Sequence, residues 1–199
     1  MDKEQVLQLV GKARRAFPEW QKDYEKRRSY IYHLVEYLKK NKMEMAKIET
    51  SEMGKTIKES IGEVEKCAWA LEFYADHGDS FLADEVLNTD ARKSFLTFEP
   101  LGVIGSIMPW NFPYWQALRF AAPCLMAGNV IVMKPSRVTI QSGIEIEKAF
   151  TESGIPDGIF QTVIGSVESA NHLIDSDVNA VTFTGSTDAG AKVGQRAAM

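Results

Sequence analysis

The sequence predicts an α/β fold that combines N-terminal helices, a β-ribbon and an incomplete parallel sheet. Three observations predict it. Apolar residues recur at helical spacing over residues 1–85, and a short alternating pattern with a turn signal occupies residues 86–99. Over residues 100–199, short apolar strands alternate with helical segments. Strands separated in this way are joined by right-handed crossovers and form a parallel sheet.

Composition excludes several classes of protein. The chain has 23 Lys+Arg and 27 Asp+Glu, with 45% hydrophobic and 25% charged residues, which is ordinary globular usage. The mildly acidic charge, without a basic block, predicts no nucleic-acid partner. No apolar stretch is long enough for a membrane span, and no signal peptide is visible, so we expect no membrane partner and a cytoplasmic location. The two cysteines and three histidines form no metal motif.

The helical part divides into three segments. The first is predicted over residues 4–17 and should end before Pro18. The second carries Tyr24, Ile31 and Leu38 on one face and should break at the polar residues 39–42. The third begins after the break at Gly54 and carries an apolar stripe over residues 57–75.

The remaining segments follow from the same patterns. Residues 86–98 predict a hairpin or edge ribbon with a turn at 88–90. Strands are predicted at 103–107, 130–133, 159–164 and 180–184, and helices at 115–126, 139–153, 166–175 and from 187 onward. The strand at 130–133 is apolar on both faces, as expected where helices cover both sides of a sheet.

Three segments that follow strands could bind a ligand. Gly185 and Ser186 lie between a strand and a helix, where unpaired N–H groups attract phosphate, although Ser186 or Thr187 could merely cap the helix. Lys134, Ser136 and Arg137 follow another strand and could hold a ribose or a phosphate, or could form a solvated loop.

The third segment places Asn111 between Pro109 and Pro113. Because its amide is an uncharged donor, Asn111 suits the stabilisation of an oxyanion. The alternative is that Asn111 helps to start the following helix and that Trp110 and Phe112 belong to the core.

These segments occur together in the order and spacing of a known family. The motifs are Glu99-Pro100-Leu101-Gly102-Val103-Ile104-Gly105, Pro109-Trp110-Asn111-Phe112-Pro113, Lys134-Pro135-Ser136, Gly154-Ile155-Pro156-Asp157-Gly158 and Phe183-Thr184-Gly185-Ser186-Thr187. Glu52-Met53-Gly54-Lys55 fits as well. The chain resembles the NAD(P)-dependent aldehyde dehydrogenase superfamily, most of all its succinate-semialdehyde dehydrogenases. The resemblance implies a Rossmann-like coenzyme domain and a ribbon that serves in oligomerisation.

The resemblance assigns roles to individual residues. Asn111 would donate its amide to the oxyanion, and Lys134, with Ser136 and Arg137 beside it, would bind the adenosine side of the coenzyme. Gly185 and Ser186 would lie at the pyrophosphate, Ile107 and Trp110 would line the nicotinamide side, and Gly165 joins the coenzyme-binding set.

Two arginines bear on specificity. NAD-preferring members usually have an acidic residue at the position of Arg137, so the cation favours NADP, with NAD as the alternative. Arg119 matches a carboxylate-binding arginine of succinate-semialdehyde dehydrogenases, which makes succinate semialdehyde the expected aldehyde. A surface ion pair is the alternative role for Arg119.

The family's nucleophilic cysteine and glutamate base would lie beyond residue 199, and a preceding strand segment is also missing. We therefore expect a parent enzyme more than twice as long, assembled as a dimer or tetramer, and no turnover by the 199-residue chain alone. The apolar neighbours of Cys67 and Cys124 in the sequence predict that both are small buried hydrophobic residues. The alternatives are a non-catalytic nucleotide-binding or assembly module and, more weakly, a related reductase of the proline-pathway type.

Overall fold

The computed structural model describes residues 1–199, and three helices form its N-terminal part. They are α1 (Lys3–Trp20), α2 (Tyr24–Met53) and α3 (Ile57–Phe81). Each begins after a residue whose side chain accepts a backbone N–H of the first turn, namely Asp2, Asp23 and Thr56. These bonds satisfy donors that would otherwise be unpaired at the start of each helix.

The prediction that the first helix ends before Pro18 is wrong. Pro18 lies inside α1, which continues to Trp20. Trp20 is buried and its indole Nε1 donates to the carbonyl oxygen of Leu125 at 3.2 Å. Proline removes one backbone hydrogen bond from the helix. The anchoring of Trp20 offsets this loss, and the helix continues for only two residues after Pro18.

The predicted break at residues 39–42 is also wrong, since α2 runs through it. The buried side chains of Leu38 and Met45 keep the apolar face continuous on both sides of this segment. The lysines on the outer face pair with α3, where Lys42 Nζ lies 2.5 Å from Glu65 Oε1. Tertiary contacts therefore override a locally polar segment.

The ribbon is shorter than predicted. β1 (Glu85–Val86) and β2 (Phe95–Leu96) pair antiparallel, with Glu85 opposite Leu96. All four residues are exposed.

The C-terminal part is a four-stranded parallel sheet with the order β5-β4-β3-β6. Its elements are β3 (Val103–Ile107), α4 (Pro113–Met126), β4 (Val130–Lys134), α5 (Ile140–Glu152), β5 (Phe160–Thr162), α6 (Val167–Ile174), β6 (Ala180–Phe183) and α7 (Thr187–Ala197). The predicted α/β fold with a parallel sheet is confirmed.

Helices cover both faces of this sheet. α1 and α6 contact one face, α4 and α5 contact the other, and α2 and α3 pack outside α4 and α5. A single cluster of 37 buried apolar residues joins the helices to the sheet. None of the helices is both long enough and apolar enough to cross a membrane.

Candidate functional site

The strand order reverses beside β3, which is where open parallel sheets bind their ligands. β4 lies on one side of β3 and β6 on the other. The register pairs Ile107 with Lys134 on β4 and with Phe183 on β6. The carboxyl ends of three strands therefore meet at one edge of the sheet, and the segments that follow them surround the same space.

A cleft of about 990 Å³ opens at this edge. Its volume lies at the upper end of the usual range for ligand pockets, about 300–1,000 Å³. Seven of the residues predicted to bind a coenzyme line it, namely Ile107, Trp110, Lys134, Ser136, Arg137, Gly185 and Ser186. Residues far apart in the sequence are thus brought together around one cavity.

The cleft is positively charged although the chain carries a net charge of −4. Four cationic side chains line it, and no Asp or Glu side chain does. One of them, Arg196, is paired with Asp175, its Nε lying 2.6 Å from Oδ1. Lys134, Arg137 and Lys192 have no such partner within the cleft. This charge distribution favours an anionic ligand.

Lys134 is held in a defined position. It is 6% exposed, and its Nζ donates to the carbonyl oxygen of Pro135 at 2.8 Å. Burial, with a smaller effect from the nearby Arg137 charge, lowers the pKa of Lys134. An ammonium has three N–H donors, so two remain for a ligand. The alternative of a solvated loop with two exposed cations is therefore wrong for Lys134, which is buried. It holds for Arg137, which is exposed.

Ser186 caps helix α7. Its Oγ accepts the backbone N–H of Ala189 at 3.4 Å. A Cβ at Gly185 would overlap the ring of Phe183, and one at Gly190 would lie 3.3 Å from that ring. Glycine at both positions is thus explained by close packing on Phe183. The capping role and a phosphate-binding role use different groups of the same turn.

Asn111 lies in an exposed loop between β3 and α4. The loop, Met108–Phe112, is anchored at its start, where the N–H of Met108 donates to the carbonyl oxygen of Lys134 at 3.1 Å. Trp110 is 50% and Phe112 45% exposed, so the alternative that they belong to the core is wrong. Asn111 does not cap the helix either, because the N-cap residue is Phe112. Asn111 is not among the residues that line the cleft, but it directly follows Trp110, which lines it.

Besides Asn111, two further predicted residues, Gly165 and Arg119, do not line the cleft. Gly165 packs against Ser169 and the amino terminus of Met1, which occupy the space of a Cβ. Arg119 is exposed on α4, and its Nε donates to Gln116 Oε1 at 2.8 Å. Because no acidic side chain pairs with it, the surface ion pair proposed as its alternative role is absent.

A buried cluster of charged side chains, which the sequence pattern did not predict, lies beside the loop that carries Asn111. Lys55 Nζ lies 2.6 Å from Glu49 Oε1 and also contacts Glu63. Glu63 Oε1 accepts the backbone N–H groups of Tyr114 and Trp115, at 3.0 and 2.9 Å. Lys55 belongs to the Glu52-Met53-Gly54-Lys55 motif. Glu49 and Glu63 belong to no motif and could not be distinguished from other helical glutamates in the sequence.

Glu52 of the same motif binds the N-terminal turn of α5. Its Oε1 accepts the N–H of Gln141 at 2.6 Å, and its Oε2 accepts the N–H and the hydroxyl of Ser142. The N-cap residue of α5, Thr139, makes no side-chain cap bond of its own. The end of α2 thus supplies an N-terminal cap to α5.

Neither cysteine can act as a nucleophile here. Both are buried, and burial raises the pKa of Cys67 well above its ordinary value and that of Cys124 to about 12. The thiols remain protonated at neutral pH, as expected of small core residues.

An open parallel sheet with a ligand cleft at the strand-order reversal is the arrangement of nucleotide-binding α/β proteins. The family model described as "Aldehyde dehydrogenase family" matches residues 1–199. The chain belongs to the aldehyde dehydrogenase family, as the resemblance predicted.

Individual relatives agree with this assignment. Over 176 residues, 88% of this chain, it is 44% identical to a probable NADP(+) succinate-semialdehyde dehydrogenase from Synechocystis sp.. The crystal structure of succinic semialdehyde dehydrogenase from Streptococcus pyogenes with NADP+ matches the whole chain, with a TM-score of 0.94 and 29% identity. An NAD-dependent aldehyde dehydrogenase from Sinorhizobium meliloti matches 99% of it, with a TM-score of 0.93 and 32% identity. This chain spans 39%, 44% and 40% of the lengths of these three proteins.

Proposed function

We propose that this chain forms the coenzyme-binding part of a succinate-semialdehyde dehydrogenase that prefers NADP over NAD. The reaction would oxidise the aldehyde to a carboxylic acid. The observation that carries the proposal is the single cleft that Trp110, Lys134 and Gly185 line together at the strand-order reversal. The cleft has cationic side chains and no carboxylate, as a ligand with several phosphates requires.

The residues present fit a dinucleotide. Lys134 is buried and keeps two N–H donors for ribose hydroxyls. Gly185 and Ser186 would hold the pyrophosphate at the first turn of α7, where the helix dipole favours negative charge. Ile107 and Trp110 would lie beside the nicotinamide, which supplies the hydride acceptor when it is bound. Ser136 would assist on the adenosine side, and Gly165 would shape the adjoining loop.

The preference for NADP rests on Arg137. It is exposed at the edge of the cleft, three residues after Lys134, with no acidic side chain in the lining. A guanidinium can hold a ribose 2′-phosphate with two hydrogen bonds, whereas NAD offers only a neutral hydroxyl there. The Synechocystis relative carries NADP(+) in its name, which supports the same preference.

Asn111 and Arg119 would act on the aldehyde. The uncharged amide of Asn111 would donate to the oxyanion that forms at the aldehyde carbon. Arg119 has no ion-pair partner, so its guanidinium is free to bind the carboxylate of succinate semialdehyde. The catalytic thiolate and the base would come from residues outside this chain, because Cys67 and Cys124 are buried and protonated.

The ribbon would mediate assembly of the whole enzyme into a homodimer or homotetramer. Val86 is 81% exposed, and Leu87, Phe95, Leu96 and Phe98 are each more than 40% exposed. Such a cluster of apolar side chains on a two-stranded ribbon is typical of a protein–protein contact.

The test compares the binding of NADP+ and NAD+ to the 199-residue chain by calorimetry. We expect a lower Kd for NADP+, by roughly tenfold, because one charge-assisted contact contributes on the order of 1.5 kcal/mol. Arg137→Glu should reverse or abolish this preference, because the carboxylate repels a 2′-phosphate and accepts from a 2′-hydroxyl.

The matched control is Arg92→Glu, the same charge change at an exposed position near the ribbon. It should leave both Kd values unchanged. An unaltered preference in Arg137→Glu would disprove the role of Arg137, and no binding of either coenzyme would contradict the proposed function.

A further inference from the structure

Helix α4 begins without a cap of its own. Its N-cap residue, Phe112, forms no side-chain cap bond. The first-turn N–H groups of Tyr114 and Trp115 are instead bound by Glu63 Oε1, which comes from α3. A carboxylate at this position satisfies two unpaired donors and interacts favourably with the helix dipole. The start of α4 is therefore fixed by another helix.

Lys55 holds Glu63 in place. Its Nζ contacts Glu63 Oε2 while Glu63 Oε1 binds α4, so both oxygens of the carboxylate are engaged. The Lys55 side chain is 9% exposed and that of Glu63 is 2% exposed. Lys55 Nζ also lies 4.0 Å from the centroid of the Phe112 ring, within cation–π distance. Lys55 thus contacts the residue that follows Asn111 as well as the carboxylate that caps the helix.

The loop is consequently held at both ends. At its start, Met108 donates to the carbonyl oxygen of Lys134 on β4. At its end, Lys55 and Glu63 fix Phe112 and the first turn of α4. Asn111 lies between these two anchors, with no hydrogen bond of its own side chain to fix it.

We propose that Lys55 and Glu63 are positioning residues, which fix the helix end of the Met108–Phe112 loop and so present the Asn111 amide at the active site. The presentation of an oxyanion donor rests on the proposed function, whereas the anchoring of the loop does not. Because a buried ion pair adds little stability over apolar packing, we infer that its role here is to fix the geometry of the loop. An oxyanion donor is effective only when it is held in place before the reaction.

The test uses NMR on the isotope-labelled 199-residue chain. Lys55→Met removes the charge that holds Glu63, and Glu63→Gln removes the charge but keeps an oxygen. Two readouts report on the loop: hydrogen exchange at the Tyr114 and Trp115 amides, and the side-chain amide signal of Asn111. Exchange at Val132 of β4 reports on the stability of the whole sheet.

We expect exchange at Tyr114 and Trp115 to accelerate at least about tenfold more than at Val132 in Lys55→Met, because local opening no longer needs global unfolding. The Asn111 side-chain signal should shift or broaden. Lys55→Arg keeps the charge and should restore most of the protection. Glu65→Gln, on an exposed part of the same helix, should change neither readout.

Equal acceleration at Val132 and Tyr114, or an unchanged Asn111 signal in both Lys55→Met and Glu63→Gln, would overturn the proposal. If Lys55→Met does not fold, Glu63→Gln gives the decision with the same criteria. Because no coenzyme or aldehyde takes part, the result is independent of whether the chain binds NADP.

Discussion

At the scale of single residues, environment decides what each charge in this molecule can do. Lys134 and Arg137 are three residues apart, yet one is buried against the end of β4 and the other is exposed at the edge of the cleft. Burial lowers the pKa of Lys134 and keeps its position fixed. Arg137 stays solvated and can meet a ligand as a free charge. The two cations are therefore suited to different parts of one ligand.

Glu49 is a buried carboxyl group whose ionisation is strongly perturbed. Its side chain is fully buried, its Oε2 has no hydrogen-bond partner, and Lys55 binds its other oxygen. Burial raises the pKa of Glu49, Lys55 opposes this effect and the neighbouring Glu63 adds to it, so that the resulting pKa is about 7. The folded chain therefore binds a proton there at a pH where the unfolded chain has already lost it.

This difference predicts a pH-dependent stability. Since the pKa is raised on folding, the stabilisation is complete below about pH 4.5 and is lost as the pH rises to about 7. The loss should be on the order of 3 kcal/mol at most. Glu49→Gln should reduce this decline, because an amide does not titrate.

Urea denaturation between about pH 5 and pH 8 checks this prediction. Glu44→Gln is the matched control, since Glu44 is exposed on the same helix and pairs only with Lys47. An identical decline in the wild type and in Glu49→Gln would show that Glu49 is already ionised in the folded chain.

At the scale of elements, the junction between α2 and α3 depends on one glycine. Gly54 has φ +78°, a left-handed conformation, and ends α2 with its N–H donating to the carbonyl oxygen of Thr50. No atom lies within 4 Å of the place of a Cβ, so a substitution there tests backbone strain alone. The junction also positions Glu52 and Lys55, which cap or anchor α5 and α4.

Gly54→Ala should lower the free energy of unfolding by about 1 kcal/mol, because alanine is strained in the left-handed region. Gly62→Ala, on an exposed part of α3 with equally open space, should raise it by roughly 0.5–1 kcal/mol, since alanine favours the helix. Chemical denaturation of both variants measures the two values. Effects of the same sign would contradict the assigned conformations.

Most helices and strands could be predicted from the sequence, whereas features that depend on contacts between distant segments could not. Strands such as β3 and β4 were predicted because burial on both faces leaves a continuous apolar run. The helix ends predicted from Pro18 and from the lysines at 39–42 were wrong. The anchoring of Trp20 and the pairing with α3 are tertiary contacts, which a local pattern does not reveal. The same limit applies to the site. Lys134 and Gly185 follow strands and could be found, whereas Glu49 and Glu63 act across helices and had no local signature.

In the molecule as a whole, the N-terminal helices support the sheet whose strand ends form the cleft. The single apolar core joins them, and α2 and α3 cap the helices that follow β3 and β4. β6 is an edge strand whose residues are only half-buried, and α7 buries none of its residues. The unpaired backbone groups of such an edge are a template for pairing with another strand.

We propose that the ends of β3, β4 and β6 together hold one dinucleotide. Titration of the labelled chain with NADP+, followed through its backbone amide signals, tests this most directly. We expect the amide signals of Trp110, Lys134 and Gly185 to shift together along one saturation curve. Shifts confined to a different surface, or separate curves for the three residues, would contradict it.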